Sequence, residues 1–264
     1  MKIATYNVNS VKVRAQNLIN WLKTNNPDIV LLQEIKCETE NFLYFEFETL
    51  GYKVVALGQK SYNGVAILSK YDFEVTNRNL PDFTEDNAAR YLEILVNNNG
   101  KKFYVASVYA PHGCSVDKNI EQEKLSYKLK WFDKLYSRMN SIIKSGLPVI
   151  IGGDFNVMMK NIDVFDEDKF KNSPLYLKDV RDKITSLSYL GLYDCFRLLY
   201  KNKEGYTFWD YAGNSFVTNL GLRIDYVLAS SHFADKLIDI HVDKTLRQVE
   251  RPSDHTILIA EFRD

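Results

Sequence analysis

The sequence predicts an α/β protein in which two β-sheets pack together and helices cover them, and three stretches carry that expectation. The first is a βαβ-like opening, a short alternating strand and then a continuous apolar run with a helical pattern between them. The second is a middle third that reads as an antiparallel meander, with Asn97-Asn98-Asn99-Gly100 as a strong hairpin turn. The third is PVIIGGDFNV, Pro148 to Val157. Its β-branched residues Val149, Ile150 and Ile151, bounded by a proline and a glycine pair, have the character of a strand buried on both faces.

In chain order, Lys2 to Val8 alternates as a strand and delivers Asn7 and Asn9 at its end. Val13, Leu18, Trp21 and Leu22 mark a helix of about three turns that Asn25-Asn26-Pro27 finishes. Ile29 to Leu32 is a buried-type strand ending at Gln33-Glu34. Cys37 to Phe47 mixes acids with aromatics, as a loop or short helix. Tyr52 to Leu57, Gly64 to Ser69 and Phe73 to Val75 read as strands separated by polar turns. Arg90 opens the strand Tyr91 to Val96, and Lys102 to Tyr109 returns from the hairpin. Leu125, Leu129, Phe132, Tyr136, Met139 and Ile143 recur at three- and four-residue steps and predict a helix over Glu121 to Lys144, stopped by Gly146 and Pro148. Lys160 to Lys183 holds no sustained period and reads as a long loop with a capped helix near Ser173-Pro174, after which helical spacing resumes from Val180 to Leu190. Strands are then expected over Tyr206 to Tyr211, Arg223 to Leu228 and Thr256 to Phe262, the last opened by Ser253-Asp254-His255.

A chain of 264 residues can form one domain or two, and no linker argues for two. Apolar residues at 45% with 26% charged are ordinary for a soluble globular protein. Lys plus Arg equals Asp plus Glu at 34 each, so any site for a polyanion must be local. Cys37, Cys114 and Cys195 form no CxxC pair, which argues against a disulfide framework or a zinc site and for a reducing cytoplasm. MKIATYNVNS lacks the apolar segment of an export leader, and no stretch reaches membrane-spanning length.

The polar residues at strand ends are Asn7, Glu34, Tyr109, Asp154, Asn156, Asp225, Asp254 and His255. Taken singly, each has a plain structural reading: Asp154 capping a turn, His255 a surface or hydrogen-bonded core histidine, Tyr109 a packed tyrosine with a backbone partner. Gathered together, carboxylates with one imidazole and no thiol suit a hard divalent ion, magnesium first, with manganese as a substitute. Hydrolysis of a phosphodiester needs charge neutralised on the phosphoryl oxygens, a water aimed in line and a stabilised leaving oxygen, and this set could provide all three. A carboxylate next to His255 favours the imidazolium, a fixed cation suited to a phosphate.

TYNVNS, LLQEIK, NGVAILSK, SVYAPHG, IIGGDFN, GLRIDYVLAS and PSDH occur in that order, and together they resemble the exonuclease III family of DNA repair nucleases, within the wider endonuclease/exonuclease/phosphatase superfamily. The resemblance runs from Lys2 to Arg263 and treats residues 1–264 as one domain. It implies a four-layered α/β sandwich of the DNase I-like kind, two mixed β-sheets flanked by helices, with the site at one rim. Carried over residue by residue, it implies that Glu34 is a metal ligand, with Asn7, Asp154, Asn156 and Asp254 also near the metal. Asp154 corresponds to the residue that activates or orients the water, and Asn7 and Asn156 to its hydrogen-bonding neighbours. Tyr109 is similar to the tyrosine that contacts the scissile phosphate, Asp225 and His255 to the paired carboxylate and imidazole, and Asp254 to an acid near the leaving group or metal. Asn9 stands where some members carry Asp, and Lys36 and Arg90 fall near phosphate-binding positions.

Phe208 and Trp209 in YTFWDY, with Leu222 and Ile224 on either side of Arg223, could wall a pocket for a sugar that has lost its base. Core packing is the ordinary alternative for such residues. The resemblance favours the pocket, with Trp209 as a DNA-facing neighbour. The expectation is a magnesium-dependent hydrolase acting in base excision repair as a cytoplasmic monomer. It would cut double-stranded DNA 5′ to abasic sites, degrade strands 3′ to 5′ and clear blocked 3′ ends. A phosphodiesterase acting on sphingomyelin or inositol phosphates, and an inactive DNA-binding module, are the alternatives. The absence of lipid-facing features weighs against the first and the intact set of acids against the second.

Overall fold

The computed structural model describes residues 1–263, so the last position of the expected domain, Asp264, lies outside the described residues. In chain order the strands are β1 (Lys2–Asn7), β2 (Ile29–Gln33), β3 (Lys53–Leu57), β4 (Val65–Ser69), β5 (Asp72–Arg78), β6 (Tyr91–Asn98), β7 (Lys101–Tyr109), β8 (Val149–Asp154), β9 (Leu192–Asp194), β10 (Asp225–Ser230), β11 (Leu237–Asp243) and β12 (Ile257–Phe262). The α-helices are α1 (Val11–Asn25), α2 (Tyr44–Glu48), α3 (Lys118–Lys144), α4 (Glu167–Phe170), α5 (Lys178–Tyr189), α6 (Cys195–Leu199) and α7 (Ser231–Ala234).

The strands form two six-stranded mixed sheets, ordered β11-β12-β1-β2-β4-β3 and β5-β6-β7-β8-β10-β9. Ile3, Ile29, Leu31 and Ile67 of the first sheet meet Ile94, Val105, Ile150 and Val227 of the second in a dry core. Alternation along each strand sends the neighbouring residues outward. Tyr6, Val30, Leu32 and Ile259 thus meet Leu18, Trp21 and Leu22 of α1. On the other side Val149, Ile151 and Leu228 meet Trp131, Phe132 and Leu135 of α3 and Val180 and Ile184 of α5. The four expected layers follow: helix, sheet, sheet, helix.

Strand direction decides where function collects. β1 runs parallel to β2, with Asn7 opposite Gln33, and β7 runs parallel to β8, with Tyr109 opposite Asp154. β10 and β12 lie antiparallel to β8 and β1, so they enter the sheets where those strands leave them, and Asp225 stands opposite Asp154. Near that rim Gln33 joins the two sheets inside the core. Thr5 Oγ1 donates to its Oε1 at 3.3 Å, and its Nε2 donates to Ser107 Oγ at 3.0 Å.

The structure departs from several sequence expectations. Tyr206 to Tyr211 forms no strand; Phe208 alone makes isolated bridges, to Leu222 and His255. The strand expected from Arg223 begins at Asp225. Ser173-Pro174 opens a turn, with Ser173 O accepting from the amides of Tyr176 and Leu177, and the helix starts only at Lys178. β9, β11, α4, α6 and α7 were not anticipated. β11 carries an irregularity between Leu237 and Asp239 that breaks its alternation, and the other four span at most five residues, too short to show a period.

Candidate active site

Asn7 is the hinge of the rim where the strands converge. Buried at the end of β1, its Nδ2 donates to Glu34 Oε1 at 2.9 Å and to Asp154 Oδ2 at 3.0 Å, so one amide holds acids from both sheets together. The surrounding backbone is unusual: Asn9, Ser10, Glu34, Lys36 and Asn156 all have positive φ, between 44° and 85°. Non-glycine residues seldom adopt such angles, and their concentration at one rim is characteristic of functional sites. DFNV accordingly does not continue as an extended strand. Asn156 turns to φ 51°, its amide N–H donates to Asp154 Oδ1 at 2.9 Å and its Nδ2 donates to Ala110 O at 3.0 Å. Asp154 and Asn156 thus meet through a turn.

Asp154, His255 and Asp225 form the buried heart of the site. His255 Nδ1 lies 2.8 Å from Asp225 Oδ2, and its Nε2 lies 3.6 Å from Asp154 Oδ2. Burial would strip the proton from His255, but the charges of Asp225 and Asp154 outweigh it and push its pKa up to about 10, so the ring is an imidazolium at neutral pH. Burial drives Asp154 the other way from a normal carboxyl, up to about 7; His255 opposes this, while Asp225 and Glu34 add to it. A buried acid so poised can accept a proton near neutrality. Thr207 Oγ1 accepts the Asp225 amide at 3.2 Å, and Asp225 Oδ1 is buried without a hydrogen-bond partner.

Toward solvent, Lys36 Nζ pairs with Glu34 Oε2 at 2.8 Å and donates to Asn9 Oδ1 at 2.6 Å, while Asn9 Nδ2 donates to Asp254 Oδ1 at 2.9 Å. Burial alone would raise the Glu34 pKa; hydrogen bonds from Asn7 and Lys36 and the charges of Lys36 and His255 more than reverse that, leaving it below the usual carboxylate range. Arg90 lies over the Tyr109 ring, 4.8 Å from guanidinium carbon to centroid. Burial and the charges of Glu34 and Asp154 hold the Tyr109 phenol well above its ordinary pKa, so it remains an O–H donor.

The Phe208 ring packs against His255 with centroids 5.0 Å apart and is only partly buried, whereas Leu222 and Ile224 sit beneath it in an apolar cluster with Met158 and Leu175. Trp209 does not face outward. It is 0% exposed, edge-on to Phe216, with Nε1 donating to Asn219 Oδ1 at 3.3 Å, so core packing accounts for it. A fully apolar indole face is worth more inside than at a wet rim.

The rim suits a hard cation. Glu34, Asn7, Asp154, Asn156 and Asp254 offer oxygen donors, no cysteine belongs to the group, and the orphaned Asp225 Oδ1 marks charge that the protein's own donors leave unmet. One cluster differs from the expected ligand set: Asp154, Asp225 and His255 have ligand atoms within 4.8 Å of one another, while Glu34 is paired with Lys36.

Three contributors escaped the sequence reading. Ser253, expected only to help open the last strand, donates through Oγ to Asn7 O at 2.8 Å and so ties the His255 segment to β1. Thr207 stands beside Phe208 with nothing local to reveal its role. Lys128 occupies a core-facing position of α3, four residues before Phe132, which is a detectable signal because a lysine there breaks an apolar stripe. Burial pulls its pKa down to about 7, and three carbonyl acceptors surround its ammonium.

A family model described as the endonuclease/exonuclease/phosphatase family matches residues 4–255. The chain is 30% identical over 270 residues to exodeoxyribonuclease III of Haemophilus influenzae, with 100% of each covered. An AP endonuclease structure from Archaeoglobus fulgidus superposes with a TM-score of 0.91 at 36% identity, covering 100% of both chains. A 3′ phosphatase from Neisseria bound to a product DNA hairpin superposes with a TM-score of 0.93 at 35% identity, again covering 100% of both.

Proposed function

The chain belongs to the endonuclease/exonuclease/phosphatase family, in its exodeoxyribonuclease III branch of DNA repair nucleases, and on that premise we propose that it is a magnesium-dependent phosphodiesterase that incises duplex DNA 5′ to abasic sites and trims or unblocks 3′ ends. The observation that carries this reading is the buried Asp154–His255–Asp225 constellation at the rim, joined by the Asn7 amide to Glu34. One site suffices for each activity, since all attack the same kind of phosphate ester.

Each side chain has a task its surroundings prepare it for. Asn7 and the Asn156 amide hold both oxygens of Asp154, which aims a water and takes its proton; its raised pKa suits the exchange. His255, kept cationic by Asp225, balances charge that grows on the phosphoryl oxygens. Tyr109 donates its O–H to the scissile phosphate, and Lys36 and Arg90 bind flanking phosphates. Asp254, braced by Asn9, faces the leaving side. A magnesium ion, replaceable by manganese and held by Glu34 with Asn7, Asp154, Asn156 and Asp254, supplies further charge neutralisation when bound. Phe208, with Leu222 and Ile224 behind it, accommodates a sugar without a base.

We further take the protein to work as a cytoplasmic monomer and a single domain over residues 1–264. Three free cysteines support a reducing compartment, and among the described residues no helix is long and apolar enough to cross a membrane. The test is incubation with a duplex carrying one tetrahydrofuran abasic analogue, with magnesium or with EDTA. Cleavage 5′ to the analogue is expected with magnesium alone; an intact duplex under that condition rejects the proposal.

A further inference from the structure

Lys128 is wholly buried on the core side of α3, the side that also carries the buried Trp131, Phe132 and Leu135. Its ammonium donates to Asn156 O at 2.6 Å, to His112 O at 3.0 Å and to Pro174 O at 3.0 Å. Three acceptors call for three N–H bonds; an ammonium has three and a neutral amine two, so the geometry favours the charged form against burial, which pulls the pKa down to about 7. The acceptors come from three segments far apart in sequence: the one leaving β7, the one leaving β8 and the turn before α5.

Those segments are also tied to one another around the site. The Ala110 amide donates to Asp154 O at 2.8 Å, Asn156 Nδ2 donates to Ala110 O at 3.0 Å, and the Met158 amide donates to Leu175 O at 2.8 Å. The lysine stem fills the space they leave. A Cβ added to Gly113, at φ +86°, would stand 3.0 Å from Lys128 Cδ and 3.1 Å from Pro174 Cβ. Asn156 holds a left-handed backbone conformation that costs free energy in a residue with a side chain. The bond from Lys128 to its carbonyl is a charge-assisted contact that offsets this cost, in surroundings from which water is excluded.

We propose that Lys128 is a positioning residue for phosphodiester hydrolysis: its buried ammonium is a three-legged clamp that sets Asn156 in its left-handed turn and thereby the carboxylate of Asp154. The proposal rests on the nuclease reading of the same site. Lys128 touches no reacting group in this scheme; it acts through Asn156.

Two variants test it, K128M and K128A, each first shown to melt cooperatively. With the abasic duplex as substrate, kcat is expected to fall ~100-fold in both, as for a catalytic group displaced by about 1 Å, while KM stays within about threefold. K128A lacks the equivalent of propylamine, so n-propylammonium should restore kcat by about tenfold and equimolar 1-propanol should not. Amide exchange gives a readout that needs no activity: the Asn156 and Met158 amides should exchange about tenfold faster in K128M, with the β-sheet amides unchanged. A kcat within about threefold of the parent in either folded variant overturns the proposal. So does rescue by propanol equal to that by propylammonium, or unaltered exchange at Asn156 and Met158. Should the parent protein itself cleave nothing, the nuclease reading fails on its own, and the exchange measurement still decides whether the lysine sets this turn.

Discussion

Asp154 is the residue whose chemistry is most constrained, since Asn7 and the Asn156 amide each donate to one of its oxygens. Asp154→Asn would bring an N–H against one of those two donors and remove the proton acceptor. We expect kcat to fall ~10³-fold with abasic-duplex affinity within a few-fold, measured by single-turnover cleavage and by binding under EDTA. Unchanged turnover would remove Asp154 from the role assigned. Asp225 acts on its neighbour, because its charge is the main influence that raises His255 to about 10 against the opposing effect of burial. In metal-free Asp225→Asn the imidazole should therefore release its proton at a lower pH than in the parent, as followed by NMR, and kcat at neutral pH should fall ~10²-fold. A histidine that titrates as before would show that Asp154 alone keeps it charged. At this scale the acids and the imidazole were legible, because the sequence places each at the end of an apolar run. The burial of Trp209 was not. YTFWDY reads the same whether its indole faces DNA or Phe216.

At the scale of elements, β8 depends on a glycine pair that the sequence shows plainly but does not explain. Gly153 has φ +154°, and a Cβ there would stand 1.8 Å from Val108 O of β7, a clash with backbone that no rotamer relieves. Gly153→Ala should destabilise the fold by at least about 3 kcal/mol, seen as a lower urea midpoint or as insolubility; an unchanged midpoint would mean that β7 and β8 part without cost. The long helix α3 was predicted from its apolar stripe, and its start was missed by three residues because Asp117 caps it beyond the last periodic position. Arg223 shows the limit of reading an element by itself. Its neighbours Leu222 and Ile224 were expected to wall a pocket and Arg223 itself was given no task, yet it is buried in ion pairs with Asp163 at 2.7 Å and Asp194 at 2.9 Å. That network fastens the loop after β8 to the residues before β10, a task invisible from a local pattern.

Over the whole molecule, charge balance of 34 against 34 conceals buried pairs on which stability depends. Burial would raise the pKa of Glu93, but Arg138 with Thr76, Tyr91 and Asn77 bonds it strongly enough to leave it lowered; Asp163 is likewise lowered, by Arg223 and Arg197 against the opposing effect of burial. Groups whose folded pKa is depressed contribute stability that is complete above the unfolded carboxylate range and vanishes as pH falls through the folded value. The stability that these two pairs contribute should therefore be complete from neutrality down to about pH 5 and be lost below about pH 4, read as the urea-midpoint difference between the parent and variants that lack the pairing arginine. Arg138→Met should cost about 3–5 kcal/mol at pH 7, with less of that loss at low pH where Glu93 is protonated. A difference flat through acid pH would show that these pairs do not couple to folding. Periods of two and of about 3.6 residues are local properties, so the sequence by itself determined the strands of both sheets' centres, the two long helices and the set of acids at strand ends. Only the tertiary structure decided that Asn7 would hold Asp154 across 147 residues, that Arg223 and Trp209 would turn inward, and that Lys128 would clamp three loops. Those outcomes depend on strand order and on the stacking of one sheet over the other, and contacts between distant segments leave no periodic trace in the chain that makes them.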